Sequence, residues 1–156
     1  MDDAAIEAHL AKLRQLYVEA TPRQRFHIAE QRIANPAHGP NLLVTCVAAV
    51  EGFARSVVMH CHATTQAELS GVYPRYRFLG PEELILEFLS HRALGSPESF
   101  FGSDDWRHFL FAVKYRNVLA HECTYLGQDI SPVLVSACQR VLAALGSANG
   151  LTFKEA

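Results

Sequence analysis

Apolar residues recur at three- and four-residue steps along most of this chain, and nowhere do they alternate long enough to predict a strand. Residues 3–19 carry Ile6, Leu10, Leu13 and Tyr17 on one stripe, with Glu7, Lys12 and Arg14 off it, which predicts an amphipathic helix. Thr21-Pro22-Arg23-Gln24 is a helix-start signal. Thr21 can cap, Pro22 suits the first turn, and the Gln24 side chain can reach back to the cap. That second helix should run to about Ile33, before a turn at 35–40 dictated by Pro36, Gly39 and Pro40. Asn41 is the expected cap of a long helix over 42–62. Leu43, Cys46, Val47, Val50, Ala54, Val57 and Cys61 form its inward stripe, and Ala48, Ala49 and Gly52 allow close approach of a neighbour.

Periodicity fades over 64–80. Gly71 and Pro74 in that stretch predict a connecting loop. Its Arg75-Tyr76-Arg77 either packs down on the body or touches an RNA backbone and stacks a base. Pro81-Glu82-Glu83 then opens a helix that should end near Arg92. Ser103 or Asp104 caps a helix reaching His121 or Cys123. Gly127 breaks the chain, and a last helix over 131–145 turns Val135, Cys138, Val141, Leu142 and Leu145 inward. The expected architecture is all-α, with about five to six helices in one domain over 1–146 and a frayed tail over 147–156.

The helix from 103 has an unusual pattern. At about 100° per residue, Trp106, Phe109, Leu110 and Val113 share a face, and Asn117, Ala120 and His121 continue it. The stripe therefore turns polar at positions expected to face the core, where a polar pair is costly unless bonded or useful. Phe111, Tyr115 and Val118 form a second apolar face, to be covered by the chain's own helices or by another subunit. Asn117 and His121, four apart, can meet. Arg116 and His121 are about 140° apart, so a site using both invites a second copy of the chain.

Composition narrows the choices. Hydrophobic residues make up 49% and charged residues 19%, and a net charge of -2 excludes a protein that coats nucleic acid by charge alone. Cys46, Cys61, Cys123 and Cys138 form no CxxC pair, which favours free thiols in a reducing compartment such as the cytoplasm. No basic-then-apolar leader opens the sequence, so no signal peptide is expected. Glu51 and Arg55 interrupt the run at 42–61, which reads as a core helix and not as a membrane span. That pair, at i,i+4, is either a solvated ion pair or the lining of a site opposite Arg116. His60-Cys61-His62 does not predict a metal, because residues two apart on a helix diverge. No cofactor-binding loop is present, and no cofactor is expected.

Lys114-Tyr115-Arg116-Asn117-Val118-Leu119-Ala120-His121 concentrates the usable chemistry. Histidine moves protons near neutral pH, and arginine's fork matches phosphate oxygens. Arg116-Asn117-x3-His121 resembles the R-x4-6-H motif of the HEPN superfamily (higher eukaryotes and prokaryotes nucleotide-binding domains), in which a polar residue, often asparagine, follows the arginine. The resemblance is sharp over these six residues only. Arg55 to His60, Arg55 to His62 and Arg32 to His38 repeat the bare spacing. It implies an up-and-down helical bundle, a homodimer with a composite site, and metal-independent RNA cleavage as in toxin, anti-phage or RNA-processing systems. A nucleotidyltransferase-type antitoxin is an implied partner. Arg116, Asn117 and His121 would be catalytic, with Glu51, Arg55, Lys114 and Tyr115 lining the site. The alternatives are a catalytically silent nucleotide-binding or assembly module of the same fold, and a helical scaffold without a ligand.

Overall fold

In a computed structural model, residues 2–34, 41–122 and 131–153 are described. They form eight helices and no strand: α1 (Asp3–Glu19), α2 (Pro22–Ile33), α3 (Leu42–His62), α4 (Gln66–Tyr76), α5 (Pro81–His91), α6 (Pro97–Phe101), α7 (Ser103–Glu122) and α8 (Ser131–Ala148). The all-α expectation holds, and the described residues contain more helices than the five to six expected. The turns expected at 35–40 and at Gly127, together with Cys123, lie outside the described residues.

α3 is the axis of the bundle, touching α2, α4, α5, α7 and α8. Six of its seven expected inward residues are buried, from Leu43 to Val57, and Cys61 is half-buried. It is long and apolar enough to cross a membrane by length and composition, yet most of it is packed against the other helices. The inward residues expected of α8 are all buried. At the start of α2, Thr21 Oγ1 accepts from Gln24 N–H and Thr21 N–H donates to Gln24 Oε1 at 2.9 Å, closing the capping box that the sequence predicts. Asn41 occupies the cap position of α3 without a side-chain bond.

Three expectations need correction, and α6 is a helix the sequence pattern did not predict. The stretch 64–80 is mostly helix: Thr65 caps α4 by accepting from Glu68 N–H, and Pro74 falls late enough to leave the helix standing. α6 is a single turn opened by Ser96 and Pro97. Ser103 lies inside α7, whose first backbone bond runs from Trp106 N–H to the Gly102 carbonyl, so Gly102 holds the cap position. The tail expected to fray over 147–156 is held against the bundle as far as residue 153, and residues 154–156 lie outside the described residues. α8 continues to Ala148, Leu151 N–H returns to the Gly146 carbonyl at 2.8 Å, and Phe153 stacks on Phe26 with centroids 5.4 Å apart.

α1 departs from its pattern in another way. Tyr17 turns inward, donating to the Gly52 carbonyl at 2.7 Å and meeting the Tyr73 ring edge-on. Ile6, Leu10 and Leu13, on the same stripe, are exposed, and so is every residue from Asp2 to Leu16.

Candidate functional site

The site is built where α7 crosses α3 near the joint between α4 and α5. Trp106, Phe109 and Ala112 anchor α7 in the core. Their three-residue spacing falls short of a full turn, so the inward line drifts around the helix as it advances. It continues to Tyr115, Arg116 and Leu119, all half-buried, and not to Asn117, Ala120 and His121, which are exposed. The expectation that Asn117 and His121 face the core is therefore wrong, and the polar side chain taken inward is Arg116.

Arg116 is held from two sides. Its Nε donates to Asn117 Oδ1 at 2.9 Å, and its Nη2 lies 3.8 Å from Glu51 Oε1. The same Glu51 oxygen is 3.7 Å from Arg55 Nη2. Arg55 in turn donates to the carbonyls of Tyr76 (3.1 Å) and Leu79 (2.9 Å), which tie α3 to the end of α4. With 13–22% of their side chains exposed, Glu51, Arg55 and Arg116 interact more strongly than a fully solvated trio would.

These residues open onto a pocket of about 510 Å³ that also takes in Asn117, Arg77 and Phe78. The start of α5, with Glu82 and Glu83, forms its far wall. Three arginines thus face three carboxylates, and the pocket carries no formal excess of positive charge. Phe78 is 83% exposed, with the Arg77 guanidinium 4.8 Å above its ring, while Tyr76 is fully buried. Of the two readings of Arg75-Tyr76-Arg77, Tyr76 follows the one in which the segment packs down on the body, and the free aromatic face belongs to Phe78.

The remaining site candidates lie apart. His121 is exposed one turn beyond Asn117 and, among the described residues, makes no hydrogen bond with it. Lys114 is exposed, its ammonium 5.7 Å from the Phe111 ring. Tyr115 packs against the core beside α7. So Arg116, Asn117, Glu51 and Arg55 share one pocket, and His121 does not join them within one chain. The Arg55 anchors and Phe78 are features that sequence reasoning missed. The wall they form depends on α4 ending where it does, and no spacing in the chain announces that.

Elsewhere, His60 Nδ1 lies 2.8 Å from the Ser56 carbonyl, and His62 packs between Tyr76 and His91. Among the described residues no group of histidine, cysteine and acidic side chains is arranged to hold a metal ion. Cys46, Cys61 and Cys138 are free thiols. Burial pushes Cys46 up to about 12 and also raises Cys61 and Cys138, which leaves them protonated and unsuited to nucleophilic work at neutral pH. A second depression of about 400 Å³ runs between α2 and α3, where Arg25 lies over the Tyr17 ring and its Nε has no partner. Comparison with protein-family models, with curated proteins and with solved structures returns no match.

Proposed function

We propose that this chain is a HEPN-like protein acting on single-stranded RNA, cutting it without a metal at a site completed by a second copy. The observation that carries this reading is the shared pocket of Arg116, Asn117 and Arg55, with an exposed aromatic ring at its rim. An arginine fork fits a phosphate, and a ring such as Phe78 stacks an unpaired base of any sequence. Arg116 would hold the scissile phosphate and Asn117 would fix the guanidinium. His121 of the second copy would accept the proton of the ribose 2′-OH. The 2′-oxygen then attacks phosphorus, the 5′-oxygen leaves and takes a proton, and the products end in a 2′,3′-cyclic phosphate and a 5′-OH. Exposed Phe111 and Val118 on α7 offer apolar contact to that second copy.

A second reading is a catalytically silent binding or assembly module of the same fold. It is favoured by Glu51, whose carboxylate already compensates Arg55 and Arg116 and competes with phosphate.

Incubating single-stranded RNA with the wild type, His121→Ala and Arg116→Ala separates the two. The cleaving reading expects cyclic-phosphate ends from the wild type alone, in the presence of EDTA. Equal cleavage by wild type and His121→Ala removes His121 from the chemistry. RNA bound but left intact by all three proteins favours the silent module.

A further inference from the structure

The candidate site leaves unused the exposed apolar stripe of α1, which is anchored to the bundle only at its Tyr17 end. Ile6 (43% exposed), Leu10 (54%), Leu13 (50%) and Leu16 lie uncovered along a helix that meets the rest of the bundle chiefly through α4. Four large apolar side chains in a row on one helix form a contiguous patch of the kind that marks an interaction surface. We propose that this surface is where two copies of the chain associate, through antiparallel packing of α1 against α1 of a second copy.

The charges on α1 select that occupant. Written as a heptad, Ile6 and Leu13 take d positions and Leu10 an a position, so Glu7 and Arg14 both fall at e, while Tyr17, the next a position, is already packed within its own chain. In an antiparallel pair each e residue flanks the seam beside an e residue of the other helix. A two-fold axis midway between Leu10 and Leu13 then brings Glu7 against Arg14 of the second copy and, by symmetry, Arg14 against its Glu7. Among the described residues neither side chain has a partner, although Gln15 and Glu19 nearby do pair at 2.8 Å. A parallel pair would instead set each e residue beside a g residue, Glu7 against Asp2 and Arg14 against His9, and neither gains a partner of opposite charge.

The same register carries Ile6 toward exposed Leu16 of the second copy. At that end the chain offers a depression of about 590 Å³ lined by Leu16, Ala20 and Ile28 together with polar and charged side chains, Glu19 and Arg25 among them. An anionic bilayer is a poorer occupant, because Asp2, Asp3, Glu7 and Glu19 outnumber Lys12 and Arg14 along the helix.

This surface is separate from the Arg116 pocket and does not rest on the reading of that pocket. If α7 makes a contact of its own, breaking the α1 contact lowers the mass and leaves the α7 contact in place. The test is the mass in solution of the full chain and of Leu10→Glu, Glu7→Arg, Arg14→Glu and the double variant Glu7→Arg/Arg14→Glu. Light scattering supplies the mass, and circular dichroism checks that helix content is kept. Leu10→Glu is expected to halve the mass. Each single charge reversal is expected to shift the equilibrium toward the smaller species, more so at low salt, and the double variant to restore the wild-type mass. A wild type that is monomeric at all concentrations overturns the proposal, and so does a double variant no better associated than the singles. Uptake of the monomeric wild type by phosphatidylcholine–phosphatidylserine vesicles would also overturn it, by assigning the surface to a bilayer.

Discussion

α3 and α1 are written in the same code and meet opposite fates. Each repeats large apolar residues at helical spacing, but α3 buries ten of its residues while α1 buries only Val18. A stripe therefore specifies a helix and a side, and says nothing about what covers that side. α3 is covered because α2, α4, α5, α7 and α8 all turn apolar faces toward it. α1 rests chiefly on α4, which is short and half polar, and reaches α2 and α3 through Tyr17 alone among the contacts described.

The sharpest way to break this comparison is to truncate one residue in each helix. Phe53→Ala in α3 should cost about 3–5 kcal/mol, since the ring is fully buried against Phe26 and the cavity cannot collapse. Leu10→Ala in α1 should change the stability of a dilute sample by less than about 0.5 kcal/mol, the range of ordinary surface substitutions. Urea unfolding of both proteins measures the difference. Similar losses for the two would mean that α1 is covered even in the single chain.

Two glycines repeat the contrast at the scale of one atom. A Cβ added at Gly146 would overlap the Phe26 ring, whereas one added at Gly71 meets nothing within 4 Å. Gly146→Ala should therefore lose about 1–3 kcal/mol through overpacking. Gly71→Ala, in the interior of α4, should gain about 0.5–1 kcal/mol from the better helix former. Melting temperatures moving in the same direction would contradict this.

The gentlest probe is alkali. Burial pushes Tyr17 up to about 12, against the opposing charge of Arg55, and Tyr76 to about 12, where its hydrogen bond to Glu87 adds to burial. In both, the folded state keeps a proton that the unfolded chain gives up near 10. Their contribution to stability is therefore whole below about pH 10 and lost as pH rises through about 12. Stability followed by denaturant titration should show no pH dependence from these tyrosines near neutrality and should fall across that window. Tyr17→Phe should flatten the fall, and an unchanged slope would exclude Tyr17 as its source.

Much of the fold was legible in the sequence where a local device acts alone. The Thr21–Gln24 capping box, the Pro81 helix start and the inward faces of α3 and α8 depend on neighbours a few residues away. What escaped depends on partners far along the chain. Gly71 and Pro74 read as breakers, yet Leu69 and Tyr76 are buried in the body and hold α4 helical. On α7 the inward line was extrapolated straight, while packing against α3 and α8 selects the drifting line that ends on Arg116. The residues of the candidate site were legible as types, because arginine, asparagine and histidine lie within six positions. Their arrangement was not. Glu51 meets Arg116 across two helices, and the pocket wall hangs on Arg55 reaching two carbonyls beyond the end of its own helix.

The ring of Phe153 against Phe26 has a consequence for how the chain is made. Phe26 lies in the second helix, and its stacking partner lies far along the chain in the segment after α8. One edge of the ring is covered as soon as α2 and α3 pair, through Phe53. Its other face is covered only once residue 153 has been made, which puts that contact among the late ones to form during synthesis.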